Sequence, residues 1–567
     1  MNCRLHNTWF LNTGILLVSL ILILKLGYIQ IIQGELYREK ADAQYIKPSS
    51  RVFSRGSIFF EEKTGRTISA ATVVPDYTLV IDPSKIKDRE QLADRLIKII
   101  AFDRADFILR AGREGDQYEV IAKHVSQEEV DKIRLLNEKG IVLENNKKRF
   151  YPGGKTGAQV FGFVSSDGNA LVGMYGLERY YNETLMRTES TGSSSFFADL
   201  FLKSGSPFLF NRTREGDLFT TIEPTVQSFL EQTLEQDILK KYNAESVSAI
   251  IMSPTTGEIY AMATVPGFDL NFFSKEKNSR VFTNPLVDST YEMGSIIKPF
   301  TMAAGIDTNA VTAATTYDDK GFRTFNTHRM KNFDGKGRGV VVMQEVFNQS
   351  LNTGAIFVME RINKDRFLEY FKAFGFGEET GIDLPSESVG NMKNLESGRD
   401  IEYAAASFGQ GISLTPIAII RAAASLANGG VLVTPHIVKR TEYGIGFPRE
   451  FVPNDERRVI KKETSKEISR MLTVAVDKGL LNGTLKMDHY SIAAKTGTAQ
   501  QVEGKGYSET QFLHTFFGYF PSYNPRFIVF IMAKNPQKER YAANTIALPF
   551  MKITKFLLNY YEIPPDR

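Results

Sequence analysis

The stretch GSIIKPFTMAAGI, residues 294–306, holds the reading on which the fold turns. Ser295 and Lys298 stand at i and i+3 at the start of an apolar run whose spacing predicts a helix, so hydroxyl and amine share a face. A serine becomes a nucleophile only when a base takes its proton, and a lysine can be that base if burial leaves it neutral. The start of a helix also aims backbone N–H groups at developing negative charge. Taken alone, S-x-x-K is a short and common pattern, and a plain surface helix accounts for most such matches.

Working outward, two further short patterns have chemical content. Ser350-Leu351-Asn352 precedes the helical run GAIFVMERI. A second hydroxyl and an amide there can relay a proton and hold a substrate amide, while a helix N-cap is the plainer reading. Lys495-Thr496-Gly497-Thr498 ends the predicted strand SIAAKTGTA. A glycine there lets a ligand approach the backbone, and lysine with the hydroxyls of Thr496 and Thr498 suits a carboxylate. A simple strand-end turn is the alternative.

The elements around these patterns suggest an α+β domain. SVSAIIMSP (246–254) and EIYAMATV (258–265), joined by Thr255-Thr256-Gly257, predict a hairpin. FLHTFFGYF (512–520) and RFIVFIMA (526–533) add two strands to SIAAKTGTA, and the region between the two sets is helical and rich in Ala and Gly. A helix over 226–238 begins near Glu223-Pro224, since Pro is tolerated in a first turn. Another is expected over 550–561. Strands at both ends with helices between them give an antiparallel sheet flanked by helices. Before it, residues 41–214 alternate short apolar runs with charged turns, as in YTLVIDP, QYEVIAK and GIVLENN, and predict an elongated mixed α/β region. Ser190–Ser195 reads as a loop.

The 567 residues carry 42% hydrophobic and 24% charged side chains, which excludes disorder as the dominant state. A net charge of +4 is too balanced to argue for nucleic acid. The single cysteine, Cys3, excludes an intramolecular disulfide and a cysteine-built zinc site, and six scattered histidines offer no metal pair. Residues 9–32 (WFLNTGILLVSLILILKLGYIQII) are long and apolar enough for a single transmembrane anchor after a tail of residues 1–8. No small-residue cleavage site follows closely enough for a signal peptide. Arg4 before the span and Lys25, Arg38 and Lys40 after it leave orientation undecided by charge.

S-x-x-K, S-x-N and K-T-G in this order make up the motif set of penicillin-binding proteins and class A β-lactamases. The chain resembles the class B penicillin-binding proteins, monofunctional peptidoglycan D,D-transpeptidases. The likeness extends to YEMGSIIKPF (291–300), FGFGEETGIDLP (374–385), SFGQGISLTP (407–416) and LANGG (426–430). In the amino-terminal part it extends to Arg55-Gly56-Ser57-Ile58, Tyr151-Pro152-Gly153 and GLERYYN (176–182), which resemble the family's non-catalytic, dimerisation-type pedestal. Departures are Met293 where proline is usual, FEEKTG (60–65) where the family has an Asp-Arg-Asn-Gly turn, and Phe219 and Glu223 in FTTIEP.

The resemblance implies a pedestal over 41–214 and a penicillin-binding, β-lactamase-like transpeptidase domain over 216–567. It also implies acyl transfer through Ser295, with Lys298 as base and Ser350 as relay to the leaving amine. Asn352 would hold the substrate amide, Lys495, Thr496 and Thr498 the carboxylate, and the N–H groups of Ser295 and Thr498 the oxyanion. Substrates would be peptidoglycan stem peptides on lipid II-derived glycan strands, with β-lactams as covalent inhibitors and a minor D,D-carboxypeptidase reaction. No cofactor or metal is expected. Wall substrate lies outside the inner membrane, so the catalytic domain should too, with a polytopic membrane glycosyltransferase as partner. The compact pedestal and motif spacing resemble the division type more than the elongation type. A β-lactamase is disfavoured because no E-x-x-L-N segment occurs. A β-lactam sensor would need further spans or an output domain, and a pseudoenzyme scaffold would not need three intact motifs.

Overall fold

The computed structural model describes residues 54–113, 115–167, 170–187, 215–444, 447–453, 456–503 and 506–567. The expected tail, the anchor over 9–32, Cys3 and the loop Ser190–Ser195 lie outside them. Among the described residues no helix is long and apolar enough to cross a membrane. The chain divides into two compact units: residues 77–146, and residues 53–76 with 147–567.

The smaller unit is built from strongly signalled local structure. Helices Arg89–Leu96, Arg104–Ala111 and Gln127–Leu135 follow Asp88, Asp103 and Ser126, each of which caps its helix through its side chain; Ser126 and Glu129 form a reciprocal capping box. Leu79, Ile81, Leu96, Phe107 and Ile133 meet in one buried core.

In the larger unit, β1 (Ser246–Met252) and β2 (Ile259–Val265) form the expected hairpin. β3 (Ala493–Glu503), β4 (Gly506–Phe520) and β5 (Phe527–Lys534) complete a five-stranded antiparallel sheet in the order β2-β1-β5-β4-β3. The two sets of strands, far apart in sequence, join where Val247 faces Ala533. Val247, Ala249 and Ile251 turn to a core shared with α1 (Pro224–Thr233) and the C-terminal helix, whereas Ile250 and Met252 turn to a core shared with α2 (Lys298–Asp307) and α3 (Asn352–Ile362). Both faces are covered, so these strands read as continuous apolar runs rather than alternating ones. Glu223 caps α1, accepting from Val226 N at 2.7 Å.

The C-terminal helix α4 runs over Ala542–Tyr560, well before the expected start at residue 550. Pro549 lies inside this helix, where Phe550, Ile553 and Leu557 hold the turn against the sheet. β3 also departs from expectation, because Lys495 sits near its beginning and pairing with β4 continues to Glu503.

Three motifs of the expected pedestal meet in this unit around Glu178, which is fully buried. Arg55 Nε and Arg149 Nε each donate to it at 2.6 Å, Tyr151 Oη donates at 3.3 Å, and Arg55 also donates to Asn182 Oδ1 at 3.0 Å. The departures from the family pattern pack on one another as well. Phe59 stacks on Phe219 at 4.9 Å with the Arg440 guanidinium 3.9 Å from the Phe219 ring. Glu61 pairs with Lys439 and Arg440 at 2.6 and 2.8 Å. Lys63 Nζ donates to the Tyr560 carbonyl at 2.5 Å, and Tyr560 Oη donates to Glu223 at 2.7 Å. The residues at these departures are thus partnered within this chain.

Candidate active site

Ser295 lies in a 3-10 turn, Gly294–Ile297, one turn before α2 rather than in the α-helix itself. In a 3-10 turn i and i+3 eclipse, so the shared face expected of Ser295 and Lys298 is kept. The turn is held from two sides. Thr515 Oγ1 on β4 donates to the Met293 carbonyl at 3.0 Å, and Gly294 N donates to the Gly409 carbonyl at 3.1 Å. Gly409 has φ +88°, and a Cβ there would stand 2.1 Å from the Gly294 oxygen. The SFGQG segment is thus the floor under the turn that bears Ser295.

Gly497 serves a similar approach. A Cβ at that position would meet Thr515 Oγ1 at 2.3 Å and the Met293 oxygen at 2.7 Å. The space that the missing side chain opens is filled by the protein's own serine-bearing turn rather than left for a ligand. It draws the K-T-G strand against S-x-x-K.

The lysines converge on Ser350. Lys298 Nζ donates to the Ser350 carbonyl at 2.5 Å and to Ser350 Oγ at 3.2 Å. Lys495 Nζ donates to the same Oγ at 2.9 Å and to the Thr496 carbonyl at 2.9 Å. Ser350 is held at φ +52°, in the left-handed region, between a helix over Met343–Asn348 and α3, and the helix N-cap is Leu351. A non-glycine residue in that conformation stores strain, which the surrounding contacts must hold. Lys298 is 1% exposed and Lys495 4%. Burial, and then the neighbouring Lys495, push the Lys298 ammonium well below its ordinary value. Burial lowers Lys495 to about 7. Among the described residues neither lysine is ion-paired, so each can exist neutral inside the fold.

Asn352 opens α3 and its Nδ2 donates to the Lys331 carbonyl at 2.8 Å. A buried network that the sequence gives no motif for fixes this corner. Thr353 Oγ1 donates to Asp319 at 2.8 Å, and Asn332 Nδ2 donates to both Asp319 oxygens at 3.0 and 3.1 Å. Thr498 Oγ1 accepts from Ala542 N, the first residue of α4, at 3.0 Å, which leaves its own proton free to donate. Ser295, Ser350, Asn352, Lys495, Thr496 and Thr498 all line a single cleft of about 570 Å³. Lys298 and Gly497 stand behind its wall. Among the described residues no cluster of His, Cys, Asp and Glu suited to a metal occurs.

Comparison with known proteins identifies the family. A family model described as "Penicillin binding protein transpeptidase domain" matches residues 247–552, and one described as "Penicillin-binding Protein dimerisation domain" matches 54–193. "Stage V sporulation protein D" of Bacillus subtilis is 29% identical, over 94% of this chain and 82% of its own length. "Peptidoglycan D,D-transpeptidase FtsI" of Buchnera aphidicola subsp. Schizaphis graminum is 25% identical, over 97% of this chain and 94% of its own. Among solved structures, penicillin-binding protein 2X of Streptococcus thermophilus superposes with a TM-score of 0.75 at 19% identity, covering 90% of this chain and 80% of that one. Penicillin-binding protein 3 of Mycobacterium tuberculosis, solved with aztreonam, gives 0.68 at 23% identity, covering 91% and 98%. With the transpeptidase match spanning more than half of its length and enclosing every motif of the cleft, the chain belongs to the penicillin-binding protein transpeptidase family.

Proposed function

We propose that the chain is a peptidoglycan D,D-transpeptidase of wall synthesis that works by serine acyl transfer and takes up β-lactams covalently. The observation that carries the reading is the convergence of two unpaired buried lysines on Ser350, beside Ser295 in one cleft. Lys298, neutral by burial, takes the Ser295 proton as Oγ attacks the carbonyl carbon of the penultimate D-alanine. The N–H groups of Ser295 and Thr498 receive the oxyanion, at about 3 kcal/mol per donor. The proton passes through Ser350 to the departing D-alanine amine, and the acyl-enzyme remains. The acceptor amine of a second strand then attacks the ester, gives up a proton and restores Ser295. Asn352 has its carbonyl oxygen available for the substrate amide, since its Nδ2 is used by Lys331. The hydroxyls of Thr496 and Thr498 serve the terminal carboxylate, with Lys495 behind them.

The same reading places residues 9–32 in the inner membrane, with residues 41–214 and 216–567 outside it as pedestal and catalytic domain. A polytopic glycosyltransferase that makes glycan strands from lipid II is the partner this arrangement serves, and pull-down from membranes tests it. The name FtsI among the relatives supports the division setting over elongation. The relative named for sporulation favours one second setting, wall synthesis during sporulation. Depletion that yields filaments supports the first; normal septation with loss of heat-resistant spores supports the second.

Fluorescent penicillin tests the chemistry. Wild type should carry a long-lived stoichiometric label and Ser295→Ala none. Label that persists on the variant overturns the assignment, and rapid turnover of a chromogenic cephalosporin would make the protein a β-lactamase instead.

A further inference from the structure

Two of the three cations that face the cleft, Lys331 and Arg540, stand outside the three motifs. Lys331, Lys495 and Arg540 line it and, among the described residues, no carboxylate does. Lys495 is committed to Ser350 and to the Thr496 carbonyl, and its lowered pKa of about 7 leaves it half neutral near that pH. Arg540 is exposed, has no carboxylate partner among the described residues, and rests 5.7 Å from the ring of Phe512, another residue of the lining. A guanidinium keeps its charge and offers two parallel N–H donors that match a carboxylate.

The backbone of Arg540 is tied to the K-T-G strand. His514, the ladder partner of Thr498, donates from Nε2 to the Arg540 carbonyl at 3.0 Å, and two residues on Ala542 N donates to Thr498 Oγ1. Phe333 and Tyr541 meet edge to face at 6.0 Å, so the segment bearing Lys331 touches the segment bearing Arg540 in the lining of the cleft.

We propose that Arg540 is a specificity-determining residue that holds the carboxylate at the end of the stem peptide, with Lys331 adding to the field around it. The assignment deepens the transpeptidase reading and rests on it. It divides the labour of the cleft: the buried lysines manage protons, and an exposed guanidinium manages substrate charge.

Penicillin has one carboxylate in the place of the substrate's own, and its methyl ester has none. The second-order acylation constant of the full-length protein is therefore measured with both. Arg540→Gln should lower the constant for the acid by about 30-fold, as loss of one charge-assisted contact does, and leave the ester unchanged. Arg540→Lys should recover part of the loss. An unchanged constant for the acid, or an equal loss on acid and ester, overturns the assignment while Ser295 labelling in the wild type leaves the transpeptidase reading standing. A wild type that the acid does not acylate overturns both.

Discussion

Around Glu178, two guanidiniums share one fully buried carboxylate, with Tyr151 and Asn182 completing the set. Around Ser350, two equally buried ammonium groups share a hydroxyl, and no carboxylate attends either among the described residues. Both clusters are assembled from three separate motifs, and both take cations out of water at high cost. The first cancels the charge with an opposite charge, and the result is a fixed structural joint. Among the described residues the second leaves both groups without an opposite charge, and burial lowers the proton affinity of each, Lys298 well below its ordinary value and Lys495 to about 7. Whether a buried cation is given an opposite charge is therefore what separates the two clusters.

The largest effect should come from the cluster around Ser350. Lys298→Met should slow acylation by penicillin about 10²–10⁴-fold, the range for loss of a general base. A rate within a few-fold of wild type would reduce Lys298 to packing. Glu178→Ala should leave two buried arginines without their anion and lower the unfolding free energy by about 3–5 kcal/mol in urea titration. The fraction that remains folded should still label at Ser295, and an unchanged midpoint would dissolve the contrast. Gly497→Ala forces a methyl group against Met293 and Thr515, so a loss of about 1–3 kcal/mol is expected together with slower acylation. Acylation at the wild-type rate would show that the strand does not set the position of the nucleophile turn.

The mildest test is pH. Lys298, held well below the ordinary lysine range, keeps its basic form until the pH falls through that lowered value. Lys495 loses its proton as pH rises through about 7. Acylation should therefore decline on the alkaline side with a midpoint near 7, reporting the Lys495 bond to Ser350. A flat profile up to pH 9 would mean that neutral Lys495 serves equally well.

Much of this was legible in the residues. Ser295, Lys298, Ser350 and Lys495 stand out only together, because three patterns that are weak alone occur in one order, while the strands at 246–265 and 512–533 read as apolar runs. What stayed hidden depends on contacts between distant segments. Nothing local shows that Ser350 adopts φ +52°, that Asp319 and Asn332 brace Thr353, or that Thr498 is tied to the first turn of α4. The helix α4 starts earlier than its apolar spacing shows, and Pro549 is carried inside it by burial of the residues around it. Gly497 shows the same limit. Its small size is visible, but that the space admits Met293 follows only from the fold.

The large unit is interrupted after Asp76 and resumes at Lys147, and the two ends of that break are neighbours: Lys148 Nζ lies 3.6 Å from Asp76 Oδ1. Residues 77–146 are thus an excursion whose exit and return points already touch. Because the entropy of closing a loop grows only with the logarithm of its length, such a segment can lengthen, shrink or be exchanged with little strain on what it interrupts. A chain in which a short turn joins Asp76 to Lys147 should still take penicillin at Ser295, and failure of the folded chimera to label would show that the excursion is not separable.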